Sequence, residues 1–88
     1  MATLNNKLNV EVRGRQGIVF SGDLIAVTGF NTVGVFDVLP GHANFISMIT
    51  NKVILHKEDL GIDEINLDNG VIVVEDNEVK IFLGVSKV

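Results

Sequence analysis

The sequence predicts an all-β domain, a sandwich or barrel built from short strands. Three observations point there. Apolar residues alternate with polar ones in several short runs, as in Leu8, Val10 and Val12 around Asn9 and Glu11. Turn-forming residues recur at intervals of about 8–12 residues, the spacing of short antiparallel strands. The apolar content is 47%, yet it includes only five Phe and no Trp or Tyr, so it is mostly aliphatic and β-branched.

The elements follow in order. The first strand is Leu8 to Val12. After it, Gly14-Arg15-Gln16-Gly17 reads as a loop, and Ile18-Val19-Phe20 as a strand ending at Ser21-Gly22. Leu24 to Thr28 is β-rich and ends at Gly29; Val33 to Leu39 follows and ends at Pro40-Gly41. Phe45 to Ile49 has apolar spacing that also fits a helical turn. It is too short for a stable helix, and Thr50-Asn51 close it, so a strand is expected. Lys52 to Lys57 centres on Val53-Ile54-Leu55, and Ile62, Ile65 and Leu67 come after an acidic loop. Asp68-Asn69-Gly70 lies between two apolar runs and predicts a hairpin turn of type I′, because Asn-Gly accepts positive φ. Val71 to Glu75 is the next strand. Glu75-Asp76-Asn77-Glu78 is a less specific turn before Val79, Ile81 and Leu83, where Phe82 breaks the alternation.

Three runs lack a polar face: Ile18-Val19-Phe20, Val53-Ile54-Leu55 and Val71–Val74. In an isolated sandwich each strand shows one face to the core and one to water. Strand propensity alone explains such runs; cover by a partner explains them equally well.

Eighty-eight residues make one small domain with a thin core. With no cysteine, it has neither disulfides nor thiolate ligands. The net charge of -4 argues against binding nucleic acid or an anionic membrane through a basic patch. The longest apolar runs are four residues, Leu24–Val27 and Val71–Val74, far short of the roughly 20 of a membrane helix. The first residues resemble neither a secretory signal nor a transit peptide, so a prokaryotic cytosolic setting is expected.

Candidate catalytic groups are sparse. His42 follows a turn and His56 ends an apolar run; two separated histidines make no metal site. Ser21, Ser47 and Ser86 sit in no nucleophile elbow. The acidic pairs Glu58-Asp59, Asp63-Glu64 and Glu75-Asp76 place neighbouring carboxylates on opposite sides of a strand, and they miss the calcium-loop spacing. No glycine is followed by a phosphate-binding Lys-Ser or Lys-Thr. No catalytic residue, cofactor or metal is therefore expected; the chain reads as a binding or structural domain.

The segment Val33-Gly34-Val35-Phe36-Asp37-Val38-Leu39-Pro40-Gly41-His42-Ala43 resembles the signature of the epsilon subunit of F-type ATP synthases. Phe20-Ser21-Gly22, Val27-Thr28-Gly29, Asp68-Asn69-Gly70 with Val71–Val74, and Asn77-Glu78-Val79-Lys80-Ile81-Phe82 match further family motifs in order, from about Leu8 to Leu83. The resemblance implies a two-sheet β-sandwich of about ten short strands over residues 8–84, with tails at 1–7 and 85–88. It implies a non-catalytic part of the central stalk that couples the gamma subunit to the c ring for proton-driven ATP synthesis. Such a part is peripheral to the cytoplasmic face of the bacterial plasma membrane, held there through the complex, with no nucleic acid partner and no lipid anchor.

The resemblance also implies subunit-interface roles for Val35, Asp37 and His42. Val35 stands where the family carries an acidic residue facing the c ring, and Asp37 is the acid that could substitute. Asn44 stands where the family has Pro, and the loop from Gly29 to Gly34 is slightly longer. The family's C-terminal helical hairpin, which inhibits hydrolysis and in some bacteria binds ATP, has no counterpart expected in a sequence that stops at Val88. The competing reading is a free-standing ligand-binding β-sandwich, which would need a concave site with exposed aromatics; the lack of Trp and Tyr counts against it.

Overall fold

A computed structural model describes residues 7–84. Ser86 and all of the expected tails except Lys7 lie outside the described residues. Seven strands are formed: β1 (Leu8–Gly14), β2 (Gly17–Leu24), β3 (Ala26–Asn31), β4 (Gly34–Val38), β5 (Phe45–His56), β6 (Ile62–Glu75) and β7 (Glu78–Leu83). They make one hydrogen-bonded sheet in the order β2-β1-β7-β6-β5-β3-β4. All pairings are antiparallel except that of β1 with β7.

The sheet becomes a sandwich because its two longest strands bend. β5 has 12 residues and β6 has 14. The first half of β5 pairs Phe45–Ile49 with Gly70–Val74, and the second half pairs Asn51–His56 with Ile62–Leu67. Between the halves the register shifts at Ile49/Asn51, and Asn51 takes a φ of 77°. This bulge folds the ladder. One layer holds β2, β1, β7 and the adjoining halves of β6 and β5; the other holds the remaining halves with β3 and β4.

Three expectations need correction. Seven strands replace the ten or so expected, because Phe45–Ile49 with Lys52–His56, and Ile62–Leu67 with Val71–Glu75, are continuous strands. Asp68-Asn69-Gly70 is not a hairpin turn; all three residues lie inside β6, and positive φ is absent there. Gly70 is required by close approach instead. A Cβ at this position would stand 2.5 Å from the Phe82 carbonyl oxygen of β7. The type I′ geometry belongs to the less specific break: Asp76 and Asn77 have φ of 52° and 65°, between the paired Glu75 and Glu78. Gly29 and Ser21-Gly22 likewise fall inside strands rather than ending them.

One apolar cluster fills the space between the layers. It takes Leu8, Val10 and Val12 from β1, Leu24 from β2, Val27 and Val38 from β3 and β4, Ile49, Val53 and Leu55 from β5, and Ile72, Val74, Val79 and Ile81 from β6 and β7. Each fully buried Val, Leu or Ile contributes about 1.5–3 kcal/mol over its exposed state. Phe36 extends the core by lying on Gly29, where a Cβ would meet its ring at 2.7 Å.

Gly70→Ala should destabilise the domain by about 2–4 kcal/mol, because the nearest atom its methyl group meets is backbone, the Phe82 carbonyl oxygen, which cannot swing aside as a side chain can. Urea unfolding followed by far-UV circular dichroism measures this; a loss under about 0.5 kcal/mol would remove close approach as the reason for the glycine.

Candidate interaction surface

The three residues singled out by resemblance lie on β4 and the segment that follows it. Val35 and Asp37 are two apart on β4, so both point away from the core, and Val35 is 63% exposed. His42 lies beyond β4, in the loop that carries the chain from one layer to the other. The structure therefore places Val35 and Asp37 on one side of an edge strand and His42 apart from them, in the loop that follows.

Asp37 belongs to a clasp across three strands. The Thr28 hydroxyl donates to Asp37 Oδ1 at 2.6 Å and lies 2.8 Å from His56 Nε2. Thr28 has one hydroxyl proton, and the carboxylate takes it. His56 must then donate from Nε2, which fixes the proton on that nitrogen. The trio of hydroxyl, imidazole and carboxylate has the membership of a catalytic triad but the opposite polarity. The hydroxyl proton points at the acid, and the imidazole is a donor, so His56 is not placed to take a proton from Thr28 as the imidazole of a triad does. With Thr28 nearly buried, the arrangement ties edge strand β4 through β3 to β5.

His42 is held differently. Its Nδ1 lies 2.7 Å from its neighbour's carbonyl, Ala43 O, and so carries the proton. Its ring packs on Phe45 with centroids 5.0 Å apart, and Phe45 meets Phe36 edge-on at 5.6 Å and 82°. Two asparagines lace this loop to the β6–β7 turn. Asn77 Oδ1 accepts from Gly41 N at 2.7 Å, and Asn44 Oδ1 accepts from Asp76 N at 2.9 Å. At the other end of β4, Asn31 Oδ1 accepts from Val33 N and Gly34 N, ordering the loop tip where Val33 is almost fully exposed.

A broader surface was only partly legible in the sequence. On the outward face of the β5–β6–β7–β1 layer the register aligns two rows. One runs Ile46, Val73, Lys80, Glu11; the other runs Met48, Val71, Phe82, Arg13, Ile18. Ile46 is 71% exposed and Met48 62%, with Val71, Val73 and Phe82 half-buried beside them. The run Val71–Val74 signalled this face, as did Ile18-Val19, both exposed on β2. Ile46, Met48 and Phe82 were missed, although the broken alternation at Phe82 was a sign of them. The third run, Val53-Ile54-Leu55, needs less cover: Val53 and Leu55 are core, and only Ile54 turns outward, next to Thr28. Among the described residues no group of three or more His, Cys, Asp or Glu side chains could hold a metal ion.

The sequence matches the family described as ATP synthase, Delta/Epsilon chain, beta-sandwich domain, across residues 7–84. The chain belongs to this family. Among curated relatives, the ATP synthase epsilon chain of Endomicrobium trichonymphae is 33% identical over 76 residues, covering 86% of this chain and 55% of that relative. The epsilon chain of Campylobacter jejuni (strain RM1221) is 31% identical over 77 residues, covering 86% and 60%. This chain thus spans a little over half the length of these delta/epsilon relatives. In fold it is similar to a chain of the Euglena gracilis mitochondrial ATP synthase OSCP/F1/c-ring structure, with TM-score 0.86, 16% identity, and coverage of 93% of this chain and 53% of that one. A chain of the Tetrahymena thermophila ATP synthase central stalk/c-ring structure gives TM-score 0.71 at 11% identity, covering 92% and 66%. The Asn44 side-chain oxygen satisfies the Asp76 amide, which a proline at this position could not do.

Thr28→Val should remove the clasp and lower stability by about 1–2 kcal/mol, the cost of stranding its partners. Two-bond ¹⁵N–¹H correlation spectra of the imidazole should show protonated Nε2 on His56 in the parent chain. A His56 protonated only on Nδ1 would contradict the assigned donor direction.

Proposed function

We infer that this chain is a non-catalytic rotor subunit of an F-type ATP synthase, joining the gamma subunit of the central stalk to the c ring so that proton-driven rotation reaches the catalytic head. The observation that carries this reading is the family match over residues 7–84. The fold is suited to it. Two close-packed layers deform little and transmit load, and β5 and β6 run through both layers, so force entering one reaches the other along covalent chain.

In this reading the outward face around Met48 and Val73 docks on gamma, β4 with the loop that precedes it lies toward the c ring, and His42, in the loop after β4, lies on the side near gamma. Val35 then offers an apolar contact where the family uses a carboxylate. Asp37 keeps a negative charge nearby, with one oxygen engaged by Thr28. His42 gives the loop a polar ring braced on Phe45. The subunit sits on the cytoplasmic side of the bacterial plasma membrane and is held there by its protein partners. It supplies no nucleophile and needs no cofactor: its work is adhesion and stiffness.

Co-expression with the gamma subunit of the same organism should yield a complex close to 1:1, while the purified chain alone hydrolyses no ATP. Met48→Asp, at an exposed position, should leave the melting temperature within a few degrees and weaken capture of gamma at least about tenfold. A folded chain that fails to bind gamma would overturn this function.

A further inference from the structure

We propose that the free chain forms a symmetric dimer, a second copy packing antiparallel on the outward face of the β5–β6–β7–β1 layer. The face is self-complementary under a two-fold axis that runs across the strands between the two rows. That operation lays the row Ile46, Val73, Lys80, Glu11 over the second copy's Met48, Val71, Phe82, Arg13. Ile46 and Val73 then meet Met48 and Val71, apolar on apolar. The Lys80 ammonium comes over the opposing Phe82 ring, the geometry that Lys52 adopts over Phe30 within the chain at 5.9 Å. Glu11 faces the opposing Arg13. Those two side chains already pair within one chain at 2.8 Å, so both are held at the surface in position to exchange partners. Each contact occurs twice, once in each direction.

The sheet edges are poorer sites for a second copy. β2 is bulged: Val12 pairs with Phe20 and Arg13 with Ile18, which leaves Val19 unmatched. β4 has five residues and carries Asp37. Bulges, shortness and charge all blunt edge pairing. By ordinary strand spacings the face spans roughly 15–20 Å across its four strands, and its two rows lie only about 7 Å apart along them. That falls short of the ~800 Å² per partner of a standard interface, so the dimer is weak and concentration-dependent. It uses the surface assigned above to gamma, so the two associations exclude one another.

Sedimentation velocity of the 88-residue chain between about 10 µM and about 1 mM should show reversible monomer–dimer exchange. Met48→Asp should leave only monomer, with the folded state checked by circular dichroism. Glu11→Arg and Arg13→Glu should each lower the association constant about tenfold by opposing like charges. Mixing those two variants should restore association, because every Arg then faces a Glu. A chain that stays monomeric throughout overturns the proposal. So does a dimer indifferent to Met48→Asp, and so does a failure of the mixed variants to recover. If the monomer captures gamma through this face, the surface belongs to gamma and the functional reading stands. A dimer that behaves as described beside a chain unable to bind gamma would sustain the dimer and remove that function.

Discussion

The closest backbone approach among the described glycines, Gly70 against the Phe82 carbonyl, governs much of the architecture. β6 passes between β5 and β7 at this point, and the β5–β6 ladder turns from one layer into the other beside it. A side chain here would push β7 from β6 just where the sheet must fold over. β7 in turn holds β1, and β1 holds β2, so that layer depends on a contact with no room for a methyl group. The bulge at Asn51 provides the matching bend on β5. A single sheet thereby does the work of two, and the core needs no separate hydrogen-bonded unit.

Most strands were legible because a half-buried strand must alternate, and Leu8–Val12 and Val79–Ile81 do. What sequence could not show is whether a break reverses the chain or only bends it. Asp68-Asn69-Gly70 has the composition of a hairpin turn, yet ladder pairing on both sides keeps it extended. Asp76-Asn77 has weaker composition and makes the real reversal. The difference lies in the partner strands, which local preference does not report. Family resemblance singled out Val35, Asp37 and His42, but not the company they keep. Thr28 and His56 are 28 residues apart, and no spacing rule joins them; only the pairing of β3 with β5 does.

The outward face shows a similar division. Apolar residues on both sides of Val71–Val74 announced that something lay uncovered. Its composition as two aligned rows depends on register across four strands, to which Ile46 and Met48 come from a segment that also fitted a helical turn. The charges within this face are not ornaments of solubility. Glu11, Arg13 and Lys80 stand in the same rows as the apolar side chains and, in the dimer proposed above, set the direction in which the second copy lies on them. An aliphatic patch alone would be sticky without preference; these charges give it an orientation.

The parallel pairing of β1 with β7 has a consequence in time. The first strand finds its inner neighbour only when the last strand has been made, so the sheet closes late and by contacts between distant parts of the chain. Until then β1 and β2 can form a hairpin, but neither is joined to β6. Lys80 and Phe82, which lie in the middle of the outward face, arrive with that same final strand. A chain synthesised only as far as β6 lacks Lys80 and Phe82 and so has no finished outward face to offer.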